Sequence, residues 1–234
     1  MSNHDGICCY NPDFYSAECL SETMLDILLQ TPDFVVINKP AGLSVHRDQN
    51  DSGLTEMLAQ QLGVPQLWLV HRLDKPTSGV LLLALNADAA SELAQAFANR
   101  QVKKTYLALS DRRPSKKQGW IKGDMVRSRQ GAWKLTRSME NPAQTRFSSH
   151  SSEPGRRLFV LQPHTGKTHQ LRVAMKSLGS PILGDTLYGG TPADRLYLHA
   201  WHLSFSFRGA RFTVEAPLGE GWPLLPEEVQ QEEI

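Results

Sequence analysis

The chain has 234 residues, and 25 basic side chains against 24 acidic ones leave a formal net charge of +1. A hydrophobic fraction of 40% argues against disorder, and no apolar run approaches the roughly 18 residues that a membrane span requires. The charge is unevenly distributed: residues 100–176 hold 18 basic and 4 acidic side chains, a net of +14, whereas the remainder carries −13. Such segregation favours a polyanionic partner, although a basic run can also be a solvated surface.

The first 23 residues show no clear periodicity, and we expect a flexible leader there. They contain all three cysteines, Cys8, Cys9 and Cys19. An odd set without an export signal indicates reduced thiols in a cytoplasmic protein and not a disulfide framework. Together with His4 these thiols offer zinc ligands, but adjacent cysteines lack the paired spacing of a structural site, so we expect no metal.

Beyond the leader, we expect one domain over residues 24–225 and a solvated, frayed acidic tail over residues 226–234. Apolar runs and turn residues predict strands over residues 34–37, 67–70, 79–85, 102–109, 118–122, 132–136, 144–149, 157–162, 196–207 and 211–216. Helical spacing predicts helices over residues 54–62, from a cap at Asn86 or Asp88 to Phe97, and over residues 168–178. Because strands dominate and βαβ alternation is absent, the order predicts an α+β domain with a mostly antiparallel, mixed sheet flanked by a few helices.

The most informative segment is His71–Gly79, HRLDKPTSG, which lies between two predicted strands. Four ionisable side chains within five residues, held on rigid flanks, are typical of a functional site. The alternative is an ordinary polar turn in which Asp74 and Thr77 bond the local backbone. The local pattern by itself leaves both interpretations open.

Three more segments accompany this one in a fixed order: residues 38–46 (NKPAGLSVH), 103–109 (KKTYLAL) and 161–172 (LQPHTGKTHQLR). With Gly184-Asp185, Tyr188-Gly189 and Leu198-His199-Ala200, they make the chain resemble the RluA family of pseudouridine synthases from about Met24 to Pro217. The resemblance implies the pseudouridine synthase catalytic fold and an RNA uridine isomerase that uses neither metal nor organic cofactor.

By this resemblance, the nucleophilic aspartate of the family falls on Asp74, its active-site tyrosine on Tyr106 and its carboxylate-pairing arginine on Arg172. An ionised carboxylate can act as nucleophile or base while the C1′–N1 bond breaks and C1′ is joined to C5. Attack on C1′, addition to the base and removal of a sugar proton stay open. We expect Arg172 to keep Asp74 charged and to orient it bidentately, and Tyr106 to stack on the uracil or to remove the C5 proton.

The resemblance also implies that the target uridine leaves its stack and that Arg72 fills the vacated space, with a phosphate contact as the alternative. We place His71 in the same RNA-binding group, as a support for the loop. Further contacts to phosphate, or loop supports, are expected at Lys39, Lys104, Lys167 and His169. Salt-dependent phosphate contacts are expected at Lys116, Lys117, Arg127 and Arg129.

Two positions depart from the family pattern: Lys167 stands where arginine is usual, and Ala174 where histidine is usual. Because lysine lacks the planar fork of arginine, a bidentate contact at Lys167 is doubtful. Only about 23 residues precede Met24, so we expect no N-terminal S4-type RNA-binding domain, and the basic segment is expected to supply RNA affinity.

We therefore predict an isomerase that acts on a specific uridine in structured tRNA or rRNA, as a cytoplasmic monomer without a membrane or an obligate protein partner. The alternative is a non-catalytic RNA-binding or RNA-remodelling module on the same fold. A hydrolase that uses Asp74 with His71 or His169 has no supporting motif in the sequence.

Overall fold

The structure is a computed structural model that describes residues 24–45 and 53–230. The predicted leader with Cys8, Cys9 and Cys19 lies outside the described residues, as do residues 231–234 of the predicted acidic tail. No helix in the described part of the chain is long and apolar enough to cross a membrane.

The described residues form mostly strands, with a few short helices between them. The strands are β1 (Asp26–Gln30), β2 (Phe34–Lys39), β3 (Trp68–Leu69), β4 (Ser78–Ala84), β5 (Lys103–Ser110), β6 (Gln118–Gly123), β7 (Met125–Arg127), β8 (Trp133–Leu135), β9 (Ala143–Ser151), β10 (Arg157–Pro163), β11 (Leu198–Phe207) and β12 (Ala210–Glu215). The α-helices are α1 (Leu54–Leu62), α2 (Ala87–Ala98), α3 (Gln170–Ser177) and α4 (Glu227–Gln230). Short 3₁₀ turns cover Arg129–Gly131 and Thr186–Tyr188.

One large sheet organises the fold, with the strand order β1-β2-β4-β11-β5-β10-β9-β6, while β12 pairs with β11 and β3 with β4. Only the β11–β4 pair is parallel among these described strands; the other pairs are antiparallel. β7 and β8 form a separate hairpin. The predicted α+β architecture with a mostly antiparallel, mixed sheet is therefore confirmed.

The central position of β4 explains its sequence. All seven of its residues are buried, because the strand lies between β2 and β11 in the middle of the sheet. A strand covered on both faces is expected to be continuously apolar instead of alternating, as Val80 to Ala84 are. The chain then leaves β4 into α2, whose first turn is capped by Asn86: its Oδ1 accepts a 2.9 Å hydrogen bond from the backbone N–H of Ala89.

The structure differs from the sequence prediction at several places. β1 and β7 were not predicted: β1 has an exposed or half-exposed residue at every position, and β7 is only three residues long. α3 begins at Gln170 instead of residue 168, because His169 has a left-handed backbone with φ of 56°. The start of the acidic tail is not frayed, because residues 227–230 form α4 and the side chain of Val229 is fully buried against the core.

Candidate active site

A cavity of about 770 Å³ opens where the loop before β4, the strand β5 and the start of α3 meet. Asp74, Tyr106 and Arg172 all line this cavity. The tertiary structure therefore brings together the three residues that the sequence comparison nominated from three separate segments. Asp74 lies in the loop with 23% of its side chain exposed, so it is accessible from the cavity.

The Asp74 loop is held in shape from below by Lys39. The Lys39 side chain is fully buried, and its ammonium group donates three hydrogen bonds of 2.8 to 3.1 Å to backbone carbonyls. Those carbonyls belong to Pro40, Leu43 and Lys75. Burial lowers the pKa of Lys39 to about 8. Because this ammonium group lies inside the protein, the structure favours the loop support over the phosphate contact, the two roles expected of Lys39.

The end of the same loop depends on a glycine. Gly79 has φ of +109°, and a Cβ atom at this position would lie 2.1 Å from the carbonyl oxygen of Ala200. Gly79 and Ala200 are partners in the parallel β4–β11 pair. The close approach of the two backbones therefore requires glycine at the end of the HRLDKPTSG segment, and it fixes the loop against the sheet.

Arg172 forms its bidentate pair with Asp185 and not with Asp74. Its Nε and Nη2 donate hydrogen bonds of 2.8 and 2.7 Å to the two carboxylate oxygens of Asp185, which is only 2% exposed. The remaining Nη1 lies 4.0 Å from Oδ2 of Asp74. The predicted bidentate orientation of Asp74 by Arg172 is thus corrected: Asp185 orients the guanidinium, which faces Asp74 with one nitrogen.

This arrangement keeps Arg172 charged in a buried place. Burial works against the charged guanidinium, but the hydrogen bonds and charge of Asp185, followed by the charge of Asp74, outweigh it and raise the pKa of Arg172. The guanidinium also lies 5.0 Å from the ring centroid of Tyr188. A permanent positive charge therefore faces the Asp74 carboxylate.

His169 is the second nitrogen-bearing side chain beside Asp74. Its Nε2 lies 4.0 Å from Oδ2 of Asp74, and its Nδ1 forms a 2.8 Å hydrogen bond with the Tyr188 hydroxyl. Burial and the neighbouring Arg172 charge lower the pKa of His169, although Asp74 opposes them. His169 is therefore neutral at pH 7 and contributes a ring, and not a second positive charge, to the cavity.

Tyr106 projects from β5 between Leu161 of β10 and Ala200 of β11, which are its cross-strand partners. Burial, and secondarily the charge of Asp74, raise the pKa of its phenol above the ordinary value. The hydroxyl consequently stays protonated at neutral pH. This makes Tyr106 a stacking or hydrogen-bonding group in the ground state and a poor base.

The two residues before Leu73-Asp74 occupy different environments. Arg72 is exposed at the rim, where its Nη2 donates a 3.3 Å hydrogen bond to Thr168. The His71 ring stacks on Phe97 at 4.4 Å, and its Nε2 accepts a 3.0 Å hydrogen bond from the backbone N–H of Leu82. Burial lowers the pKa of His71 to about 3, so its ring is neutral and fixes the loop to the sheet.

The remaining predicted RNA contacts are scattered. Lys104 and Lys167 line the cavity; burial lowers the pKa of Lys104, and Lys167 donates to the carbonyl oxygen of Asn141. Lys116 and Lys117 are exposed outside this cavity, and Lys117 borders a separate cleft that also contains acidic side chains. Arg127 and Arg129 belong to the β7–β8 hairpin, where Arg127 covers Trp133 at 5.5 Å.

Sequence reasoning missed the roles of Asp185 and Gln170. The sequence places Asp185 in a Gly-Asp motif without indicating that its carboxylate accepts two hydrogen bonds from Arg172. Gln170, the first residue of α3, holds the preceding loop through its side chain. Its Oε1 accepts hydrogen bonds from the Thr165 hydroxyl and from the Lys167 backbone N–H at 2.7 and 3.1 Å. Its Nε2 donates to β9 at 3.1 and 3.0 Å. Both residues belong to motifs of the sequence, but their hydrogen-bond partners are set by the folded chain.

Within residues 24–45 and 53–230, no group of three His, Cys, Asp or Glu side chains is placed to hold a metal ion. The zinc-ligand candidates of the leader lie outside these residues.

Several proteins named as RNA pseudouridine synthases are similar to this chain over most of its length. A protein from Haemophilus influenzae named as an uncharacterized RNA pseudouridine synthase is 55% identical over 88% of this chain and 95% of its own length. The dual-specificity RNA pseudouridine synthase RluA of Escherichia coli is 37% identical over 89% of this chain and 96% of its own. The tRNA pseudouridine synthase C of Vibrio cholerae is 34% identical, with coverages of 90% and 98%.

Solved structures agree with the sequence relatives. Human RNA pseudouridylate synthase domain containing 4 is similar with a TM-score of 0.70 and 30% identity over 83% of this chain and 89% of its own. Human RNA pseudouridylate synthase domain containing 1 gives 0.71 and 30% over 84% of each chain. The sequence model of the RNA pseudouridylate synthase family matches residues 33–177, which contain Asp74, Tyr106 and Arg172. Sequence, fold and the shared cavity of these three side chains thus lead to one conclusion: the chain belongs to the RNA pseudouridylate synthase family and isomerises uridine to pseudouridine in RNA.

Proposed function

We propose that Asp74 carries the chemistry of this isomerase and that its substrate is a uridine in structured tRNA or rRNA. The observation that carries the proposal is that Asp74 is the one carboxylate among the described residues lining the catalytic cavity. The reaction breaks the bond from C1′ to N1, turns the uracil, joins C1′ to C5 and releases the C5 proton, while N1 gains a proton. A group that bonds to or deprotonates the nucleoside must be an available base or nucleophile. Asp74 supplies a carboxylate in the cavity, whereas the Tyr106 phenol stays protonated at neutral pH.

The neighbours of Asp74 support this assignment. The positive charge of Arg172, which Asp185 orients, lies 4.0 Å from the Asp74 carboxylate. Tyr106 provides an aromatic face for the detached uracil, and its raised pKa favours stacking over removal of the C5 proton. Arg72 at the rim is placed to contact the RNA where the uridine leaves its stack.

Tritium release from C5 tests the proposal. RNA from cells that lack the gene is labelled with [5-³H]uracil, separated into tRNA and rRNA fractions, and incubated with the wild-type protein and with Asp74→Asn. We expect tritium release and a pseudouridine peak by nucleoside mass spectrometry from one fraction with the wild-type protein only. Equal release by Asp74→Asn would contradict the role of Asp74, and a biological effect that survives this substitution would favour the non-catalytic alternative.

The setting of the enzyme is proposed as a cytoplasmic monomer. The relatives that resemble this chain over nearly its whole length are bacterial proteins named as RNA pseudouridine synthases. Asp74, Tyr106 and Arg172 of one chain line the same cavity, so the proposed active site needs no residue from a second copy. Light scattering after size-exclusion chromatography tests the monomer: a mass near 52 kDa instead of the 26.1 kDa of one chain would contradict it.

A further inference from the structure

A second cleft, with a volume of about 1190 Å³, lies beside the catalytic cavity and is larger than it. We call it the sheet cleft, because its floor is formed by side chains of β5, β6, β9 and β10. Arg100, Lys103, Arg146 and Arg211 line it, and no acidic side chain does so among the described residues. Positive charge without carboxylates is the electrostatic signature of a surface for a polyanion.

The strand register places this cleft on the face of the sheet opposite Tyr106. Trp120 pairs with Arg146, and Arg146 pairs with Gln162, so these three side chains lie side by side on one face. Tyr106 pairs with Leu161, the neighbour of Gln162. Because successive side chains in a strand point to opposite faces, Tyr106 lies on the other face.

An exposed aromatic ring lies at the centre of the basic side chains. Trp120 is 48% exposed, its ring lies 4.7 Å from that of His164, and the Lys122 ammonium group is 4.7 Å from its centroid. A single exposed tryptophan needs no explanation, but one flanked by cations and a second ring is the arrangement on which nucleic-acid bases stack. Burial, followed by the charges of nearby cations, lowers the pKa of His164, so its ring is neutral at pH 7.

The sheet cleft is continuous with the catalytic cavity. The two share the side chains that surround the beginning of β5 and the end of β10, which are Arg100, Val102, Lys104, Pro163 and His164. One strand of RNA can therefore present its uridine to Asp74 and continue past His164 onto the other face of the sheet without leaving the positively charged surface.

We propose that the sheet cleft binds a single-stranded segment of the substrate RNA next to the target uridine, with a base stacked on Trp120 and phosphates at Arg146 and Arg211. This inference rests on the proposed function for the identity of the RNA as substrate, but its binding chemistry does not depend on Asp74. Base stacking and phosphate contacts are the usual means of holding single strands without strict sequence preference.

Fluorescence anisotropy with a 5′-fluorescein-labelled 15-nucleotide oligouridine tests the inference. All binding is measured on the Asp74→Asn protein, so that no turnover occurs. Adding Trp120→Ala is expected to weaken binding about tenfold, the size expected for one lost base stack, while Trp120→Phe restores most of it. Leu224→Ala, which removes a side chain that is 96% exposed, is the control and leaves binding within twofold.

A second measurement separates this inference from the proposed function. In the tritium-release assay with native Asp74, Trp120→Ala is expected to raise KM with little change in kcat. The RNA-binding role of the sheet cleft would be contradicted if Trp120→Ala bound the oligouridine within twofold of the Asp74→Asn protein. If the wild-type protein still released tritium, the proposed enzyme function would be unaffected. No tritium release by the wild-type protein would instead overturn the proposed function.

Two other outcomes would also contradict the proposal that the sheet cleft binds RNA. An equal loss of binding by Trp120→Ala and Leu224→Ala would show that the effect does not come from this surface. A change in sedimentation of Trp120→Ala relative to the wild-type protein, with RNA binding unchanged, would identify the surface as a contact between copies of the chain. Thermal unfolding of each variant verifies that the half-exposed ring has been removed without loss of the fold.

Discussion

The basic side chains on the two faces of the sheet differ in their burial and pairing. On the catalytic face, the cations that matter are buried and bound: Arg172 is 8% exposed and paired with Asp185, and Lys39 is satisfied by three carbonyls. On the face of the sheet cleft, Arg146 and Arg211 lie along an open surface without a lining carboxylate. Buried and paired charges fix geometry, whereas exposed ones attract a polyanion, so substitutions on the two faces should affect different measurements.

The largest expected effect is on the catalytic face, at Arg172→Ala. The substitution removes the positive charge facing Asp74 and leaves the buried Asp185 carboxylate unpaired. We expect tritium release to fall at least ~10²-fold, and the free energy of unfolding in urea to fall by about 3–5 kcal/mol. Arg172→Lys retains the charge without the fork and should keep part of the stability. A largely active Arg172→Ala protein would contradict the assignment of Arg172.

The next effect concerns pH and the buried His199 beneath the loop. Ser78 hydrogen-bonds its Nδ1 at 2.8 Å, and burial lowers the pKa of His199 from 6.5 to about 4. Between these two pKa values the unfolded chain binds more protons than the folded one, so the free energy of unfolding rises with pH. The contribution of His199 is therefore lost as the pH falls from 6.5 towards 4. The loss amounts to roughly 3 kcal/mol.

Urea unfolding at pH 4.5 and pH 7 measures this difference. His199→Gln should reduce the pH dependence, because glutamine does not titrate, and leave the part that the buried His71 contributes through its own lowered pKa. The matched comparison is His164→Gln in the sheet cleft: the pKa of this exposed histidine is also lowered, but less than that of His199, so the pH dependence should change less. Parallel curves for the wild-type protein and His199→Gln would rule out the contribution of His199.

Lys39 and Lys103, one on each face of the sheet, allow effects on stability to be separated from effects on RNA affinity. Lys39→Met leaves three carbonyl acceptors without their donor, and we expect the free energy of unfolding to fall by about 1–3 kcal/mol while affinity for the oligouridine stays unchanged. Lys103→Met, on the exposed side of β5 in the sheet cleft, should weaken affinity and leave stability unchanged. The opposite result in either variant would break the distinction between the two faces.

The smallest expected effect is on salt dependence. Removing two phosphate contacts with the double variant Arg146→Ala, Arg211→Ala should reduce the slope of log K against log salt by about 1.4, since each contact to a single strand contributes about 0.7. The double variant Lys116→Ala, Lys117→Ala removes the same charge away from both cavities. A smaller change of slope here than in the cleft variant would favour the sheet cleft over the phosphate contacts that the sequence predicts at these two lysines. Equal slopes for the two double variants would show that affinity follows total charge.

Much of the fold could be predicted from the sequence because its elements carry local signals. The apolar run of β4, the spacing and Gly63 that end α1, and the cap of α2 at Asn86 all have local physical causes. β1 was missed because an edge strand of five residues with little burial lacks such a signal. The start of α3 shifted because the left-handed backbone of His169 is a product of its tertiary setting.

What the sequence by itself determined is the family, the set of candidate active-site residues and the asymmetry of charge. The motifs around Asp74, Tyr106 and Arg172 assign the family, and the excess of 14 positive charges over residues 100–176 indicates a polyanionic partner. Only the tertiary structure decided that Arg172 pairs with Asp185, that Lys39 is buried, and that Arg211, outside the basic segment, joins the sheet cleft. The reason is physical: residue type and spacing fix which groups a chain carries, but pairing, burial and the face of a sheet depend on strand order and register, which bring distant residues together.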